Sequence, residues 1–196
     1  MDWFSTISLA LGSAWTSGIN LYATVTILGL LQKFGFAKLP GGLDALDSWW
    51  IIGIAAFLYA IEFFADKIPY LDSVWDVIHT FIRVPAGAVV AYAATNHLDP
   101  SITIIATLVG GSLALTSHGT KAAMRGIVNI SPEPVSNWVL SITEDIVAFA
   151  GTLLSVFAPV VILIVLVVFV ACFVWLFPKV IRAIAKLFRA AFAVFS

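Results

Sequence analysis

The stretch AIEFFADKIPYLDSVWDVIHTFIR, residues 60–83, decides the reading of this chain. An apolar run ends here in Glu62, Asp66, Lys67, Asp72 and Asp76, and Arg83 follows on the next apolar stretch. The flanking segments 49–65 and 84–94 are nearly free of charge and have the character of membrane spans. An ionisable group near the bilayer centre costs about 2.5–3.5 kcal/mol on insertion scales. A chain that gathers several such groups is expected to use them. A plain interfacial loop between two helices needs neither Glu62 beside the Phe63-Phe64 pair nor Arg83 on an apolar segment.

Composition sets the class around this stretch. Of 196 residues, 61% are hydrophobic and 11% charged, and the mean hydropathy is +1.06. Soluble domains carry about 25% charged residues, so the chain reads as an integral membrane protein. Its length suits one membrane domain, over residues 1–177, followed by a basic tail at 178–196. A net charge of −1 provides no basic field for nucleic acid. The single cysteine, Cys172, allows no intrachain disulfide and no cysteine-based metal site. The opening MDWFSTISLALGSAW lacks the positive n-region of a secretory signal, so the first apolar stretch is expected to remain in the mature protein.

A membrane-spanning helix needs about 20 mostly apolar residues, and six candidates follow. They cover residues 7–31, 49–65, 77–95, 101 to between 118 and 125, 136–157 and 160–177. Residues 66–76 form a polar connection broken by Pro69, and Pro85 and Gly87 are kink sites in the third span. Pro132 and Pro134 break the helix after the fourth. Residues 136–177 would make one helix of about 63 Å, twice the hydrocarbon thickness, so the chain is expected to turn back at Ala158-Pro159. In the tail, Lys179, Arg182, Lys186 and Arg189 recur at steps of three and four, the pattern of a basic amphipathic helix on the membrane surface. Six spans put both termini on one side. Eight of the ten Lys and Arg residues then share that side, which predicts cytoplasmic termini in a bacterial inner membrane.

The two halves echo each other. Gly12-Ser13 with Thr16-Ser17-Gly18 recurs as Gly111-Ser112 with Thr116-Ser117-His118-Gly119, and Glu62 with Ser73-Val74-Trp75 recurs as Glu144 with Ser155-Val156-Phe157. Two inverted three-helix units, residues 1–96 and 101–177, account for this pattern. Such repeats place transport sites near the midplane where broken helices meet. Gly18 and Gly119 then mark either local unwinding or close helix packing.

Polar residues inside the spans are the candidate site. Ser17, Gly18, Asn20 and Tyr22 lie together in the first span, and Asn20 needs hydrogen-bond partners from elsewhere. Ser117, His118, Lys121 and Arg125 form a stripe on the fourth, with Lys121 and Arg125 at i, i+4. Glu144 and Asp145 lie within the fifth; one is expected to join Lys121 or Arg125, and the other to face a cavity. No HExxH motif or cysteine pair suggests a metal site.

The strings SGINLYAT, EFFADKIPYLDSVWD with the following IR, SHGTKAAMR and ITEDI resemble a catalogued family of small polytopic, mainly bacterial membrane proteins, defined as a domain of unknown function. The resemblance covers nearly all of the chain before the basic tail. It implies an all-helical membrane domain with Asn20, Glu62, Asp66, Lys67, Asp72, Arg83, His118, Lys121, Glu144 and Asp145 as shared polar residues, and it implies no activity.

The leading expectation is a non-enzymatic secondary transporter or lipid-headgroup flippase, acting as a homo-oligomer. Ser17, Gly18, Asn20, Tyr22, Lys67, Arg83, Ser117, His118, Lys121 and Arg125 would bind an anionic, phosphate-bearing substrate. Glu62, Asp66, Asp72, Asp76, Glu144 and Asp145 would couple H⁺ or Na⁺, with no other cofactor. Two alternatives stand beside it. One is a cation or metal transporter or channel whose carboxylates are the ligands, and the other is a scaffold whose ion pairs fix helix register.

Overall fold

A computed structural model describes residues 1–68, 70–129 and 134–193 of the chain. Among them every regular element is helical: α1 (Trp3–Lys33), a 3₁₀ turn (Gly41–Asp47), α2 (Trp49–Ala65), α3 (Leu71–Thr95), α4 (Pro100–Val128), α5 (Pro134–Phe157) and α6 (Pro159–Ala193). Five of these helices are long and apolar enough to cross a membrane, or six if the 3₁₀ turn and α2, bent by 77° to each other, count as one span. Large apolar side chains face outward, among them Trp50, Phe81 and Leu108. That distribution suits a lipid solvent, in which the backbone must satisfy its own hydrogen bonds.

Local chemistry sets the helix ends. Asp2 caps α1 by accepting from the Ser5 amide at 2.7 Å. Asp99 caps α4, with Pro100 at the first helical position. The break expected at Ala158-Pro159 is present, between α5 and α6. The expected polar connection at 66–76 is shorter than its charges suggest, because α3 begins at Leu71 and carries both Asp72 and Asp76. Asp72 in the first turn favours that start through the helix dipole. The breaks expected at Pro69 and Pro132 lie outside the described residues.

α1 departs furthest from expectation. It reads as one span, yet Asn20 has φ −147° and ψ 97°, an extended conformation inside the helix. The Thr152 hydroxyl lies 3.2 Å from that of Thr16 and 3.4 Å from that of Thr24. Those two hydroxyls are therefore less than about 7 Å apart, whereas eight residues of straight helix rise about 12 Å. α1 is folded back on itself at Asn20. Its first arm, residues 3–19, runs antiparallel to α5: Gly12 packs on Ser155, Gly151 on Trp15 and Thr16, and Asn20 meets Asp145. The second arm, residues 21–33, returns past Thr152 and packs Gly29 on the Leu46 carbonyl and Ile52.

This hairpin changes the topology. The start of α1 lies beside the start of α4, where Trp3, Ile7 and Leu11 share an apolar groove with Ile102, Ile105 and Val109. The connection after α1 sits at the same end. Gly41, at φ +60°, lies so close that a Cβ would stand 2.3 Å from the Ala93 carbonyl. The prediction of two termini on one side assumed a single crossing by α1, and the fold-back removes that premise. Cysteines placed singly at Asp2 and at Asn96, in a Cys172→Ser background, should therefore react with a membrane-impermeant maleimide from the same side. A six-span arrangement requires opposite sides.

The chain divides into two compact units, residues 1–162 and 163–196. In the first, Leu9, Ala10, Ala14, Leu28, Val90 and Ala91 build the apolar core. The second consists of the greater part of α6, which continues through Pro178 without a break. The tail is thus an extension of that helix rather than a separate segment. Lys179 lies over Trp175 and Arg182 donates to the Pro178 carbonyl at 3.0 Å; the side chains of Lys186 and Arg189 lie outside the described residues. The repeat suggested by the sequence does not extend to the first helices of the two halves, since α1 is folded where α4 is continuous.

Candidate functional site: a buried ion network at a broken helix

Helical spacing gathers the charged residues before any tertiary contact forms. Glu62 and Asp66 are four apart at the end of α2. Asp72, Asp76 and Arg83 follow one face of α3, and His118, Lys121 and Arg125 one face of α4. Packing then brings these faces together with Glu144 and Asp145 of α5. Arg83 and Glu62 are fully buried, and Lys121 and Arg125 are nearly so.

Among the described residues, three cations hold five carboxylates. Arg83 pairs with Glu62 at 2.6 Å and Asp76 at 3.2 Å. Lys121 is the hub: its ammonium lies 2.9 Å from Asp66, 3.2 Å from Glu62, 3.6 Å from Glu144 and 3.8 Å from Asp76. Arg125 engages Asp66 at 3.2 Å and Asp72 at 3.5 Å, and also binds Glu144 through two guanidinium nitrogens. With every group ionised, the network carries two negative charges in excess. One oxygen each of Glu62, Asp66 and Asp76 has no hydrogen-bond partner despite its burial.

Glu62 and Glu144 do converge, as the sequence echo suggests, but through a cation between them. Both lie within 4 Å of the Lys121 ammonium. Of the two adjacent acids, one of which is expected to join Lys121 or Arg125, it is Glu144 that contacts both. Asp145 points elsewhere. Its Oδ1 accepts from the Asn20 amide at 3.1 Å, and its Oδ2 has no partner.

The broken helix closes the network. Asn20 Oδ1 accepts from the Ala23 N–H at 2.9 Å, so Asn20 is the N-cap of the second arm. Asp145 therefore sits at the positive end of that arm's dipole. On the other side of the break, the Lys121 ammonium donates to the Ile19 carbonyl at 3.3 Å, and Ser117 donates to the Trp15 carbonyl at 2.8 Å. Cationic and hydroxyl donors thus meet the carbonyl end of the first arm.

The remaining sequence candidates divide. Ser17 bonds back to the Ser13 carbonyl at 2.7 Å, an intrahelical role. Gly18 is a close-packing point and not the site of unwinding: a Cβ there would lie 2.0 Å from Ser117 Oγ and 2.3 Å from the Ala114 carbonyl oxygen. The unwinding falls two residues later, where an amide side chain can replace the lost backbone bonds. Gly119 packs against no neighbour, since a Cβ added there would meet nothing within 4 Å. Lys67 stands apart from the ion pairs, over the Phe63 ring and bonded to Ser141.

Two histidines frame the network, and their tautomers follow from their partners. Arg83 only donates, so His118 Nδ1 accepts from it at 3.2 Å, which leaves Nε2–H to donate to Thr80 at 2.7 Å. His79 donates Nδ1–H to the Trp75 carbonyl and accepts from the Tyr22 hydroxyl at 2.9 Å. The sequence reading did not single out His79, Thr80, Ser141 or Asn129. Asn129 donates to Asp72 at 2.9 Å. It lies eight residues beyond Lys121 and four beyond Arg125, so the α4 periodicity that marked those residues also points to it.

Fold and network together define an all-helical, multi-pass membrane protein with a charged centre at a helix break. The chain belongs to the family described as Domain of unknown function (DUF4126), whose model matches residues 7–179. No curated protein and no solved structure matches it.

Proposed function

We propose that this chain is a small ion-coupled transporter of the bacterial inner membrane, working as a homo-oligomer, without enzymatic activity. Protons or a monovalent cation are drawn to its carboxylate-rich centre. The observation that carries the reading is the excess of two negative charges in a buried network located at a broken helix. Half-helix ends near the midplane are where transporters hold their ions. A network kept only for stability has weak physical grounds, because replacing buried ion pairs with apolar residues is often neutral or stabilising.

An anionic or phosphate-bearing cargo, including a lipid headgroup, fits this centre less well. Arg83, Lys121 and Arg125 are each engaged by at least two carboxylates, and an incoming anion would add to the negative excess. The bases are better read as internal counter-charges. Among the described residues no group of three His, Cys, Asp or Glu side chains is arranged to hold a metal ion. Protons or Na⁺ remain the favoured ions.

Purified protein in liposomes with an entrapped pH dye tests the proposal. Under an imposed potential or Na⁺ gradient, protein-dependent ion movement is expected, falling to the protein-free rate in Glu62→Gln. Thermal stability should also depend on pH or Na⁺ concentration, since an ion that binds only the folded state raises it by mass action. A folded protein that gives neither result is a scaffold.

A further inference from the structure

Among the described Asp, Glu, Lys and Arg residues at the centre, Asp145 and Lys67 stand outside the ion pairs, and they are neighbours. Asp145, 9% exposed, has no cation within 4.0 Å among the described residues, and its Oδ2 has no hydrogen-bond partner. Lys67, 7% exposed, has no carboxylate within that distance among the described residues. Its ammonium donates instead to the Phe63 carbonyl at 2.9 Å and the Ser141 hydroxyl at 3.1 Å, and lies 3.0 Å from the Phe63 ring centre. Ser141 and Asp145 are four apart on α5, so they share a face about 6 Å apart along its axis. The flexible four-carbon stem of lysine can cover one such turn by changing rotamers.

We infer that Asp145 is where the centre takes up and releases a proton, and that Lys67 is the counter-charge exchanging with that proton. The inference rests on the ion-coupled reading above and names its site. With a proton on Oδ2, Asp145 is neutral and needs no cation, and Lys67 rests on Phe63 and Ser141 as observed. When the O–H bond breaks and the proton leaves to water, a buried carboxylate remains, and Lys67 moves up one turn to pair with it. The other ionisable groups around Asp145 are Tyr59, Glu62 and Asp66 from the α2 side and Lys121 from α4. Lys121 is already shared among four carboxylates.

A proton fits this position better than a metal ion or Na⁺, which needs several oxygens at once; a proton needs one free oxygen. The site is also wired to the fold. The Asn20 side chain gives its Nδ2 to Asp145 and takes the Ala23 N–H on its Oδ1, so a single amide joins the carboxyl to the start of the second arm of α1. A change in the Asp145–Lys67 pair therefore reaches the hairpin tip through one residue.

Infrared difference spectroscopy between acidic and alkaline buffer, on the full chain in lipid nanodiscs, tests this. A carboxylic-acid carbonyl band should disappear on going alkaline in the wild type, be absent in Asp145→Asn and survive in Glu62→Gln. Lys67→Gln should keep the band in buffers where the wild type has lost it, while Lys67→Arg should behave as the wild type. Where Asp145→Asn fails to fold, Asp145→Glu should retain the band at a displaced frequency. A band that persists unchanged in Asp145→Asn or is unmoved in Asp145→Glu overturns the assignment of the site. A band unaffected by Lys67→Gln overturns the exchange. Ion movement in liposomes that survives in Asp145→Asn overturns the inference and leaves the transporter reading standing. An Asp145-dependent band without any ion movement does the reverse.

Discussion

Lys121→Met should destabilise the protein by about 3–5 kcal/mol, the range for breaking a buried ion pair by removing one partner. The Lys121 ammonium lies within 4 Å of Glu62, Asp66, Asp76 and Glu144. Without it, Glu62 and Asp76 depend on Arg83, and Asp66 and Glu144 on Arg125. The negative excess rises by one among side chains that are almost completely buried. The Ile19 carbonyl at the helix break also loses its donor. The expected result is a markedly lower unfolding temperature in detergent, with early aggregation on size exclusion. Adding Glu62→Gln should restore part of the loss, since it removes one of the stranded charges. Equal stability of Lys121→Met and wild type would falsify the hub role.

The second large effect is steric. Gly18→Ala adds one methyl group where it would meet Ser117 Oγ at 2.0 Å and the Ala114 carbonyl oxygen at 2.3 Å. The hydroxyl is already committed to the Trp15 carbonyl, and the second obstacle is backbone that cannot rotate away. Overpacking costs about 1–3 kcal/mol, occasionally more, and this site belongs at the upper end. The first arm of α1 must move off α4, which pulls Asn20 away from Asp145. Gly53→Ala and Gly126→Ala are the controls, because nothing lies within 4 Å of either position. They should be neutral or stabilise the helix by up to about 1 kcal/mol. A thermal-stability comparison of the three variants separates close packing at Gly18 from a general effect of losing glycine. Similar behaviour in all three would remove the packing argument.

Much of this was legible in the sequence because it depends on composition and local periodicity. Apolar runs of spanning length identify helices whatever their partners, so α2, α4 and α5 fall close to the predicted bounds. The helix break before Pro159 follows from length alone, since a largely apolar run of 42 residues cannot lie straight within one bilayer. The site residues were found for a related reason. Carboxylates and bases are so costly in apolar surroundings that Glu62, Arg83, Lys121, Glu144 and Asp145 mark themselves wherever the fold puts them.

Tertiary structure decided which charge meets which. Helical spacing places Lys121 and Arg125 on one face of α4, but nothing local says that Lys121 will sit among four carboxylates. Nor does it say that Asp145 and Lys67 will both stand outside the ion pairs. The fold of α1 was hidden for the same reason. Residues 3–33 carry no proline, and Asn20 is tolerable within a helix, so local propensity favours one continuous span. The break is stable because Asp145 and Lys121 come from distant parts of the chain to satisfy the amide of Asn20 and the carbonyl of Ile19. A backbone group freed by a broken helix needs a partner in the membrane interior, and those partners lie more than 100 residues away along the chain.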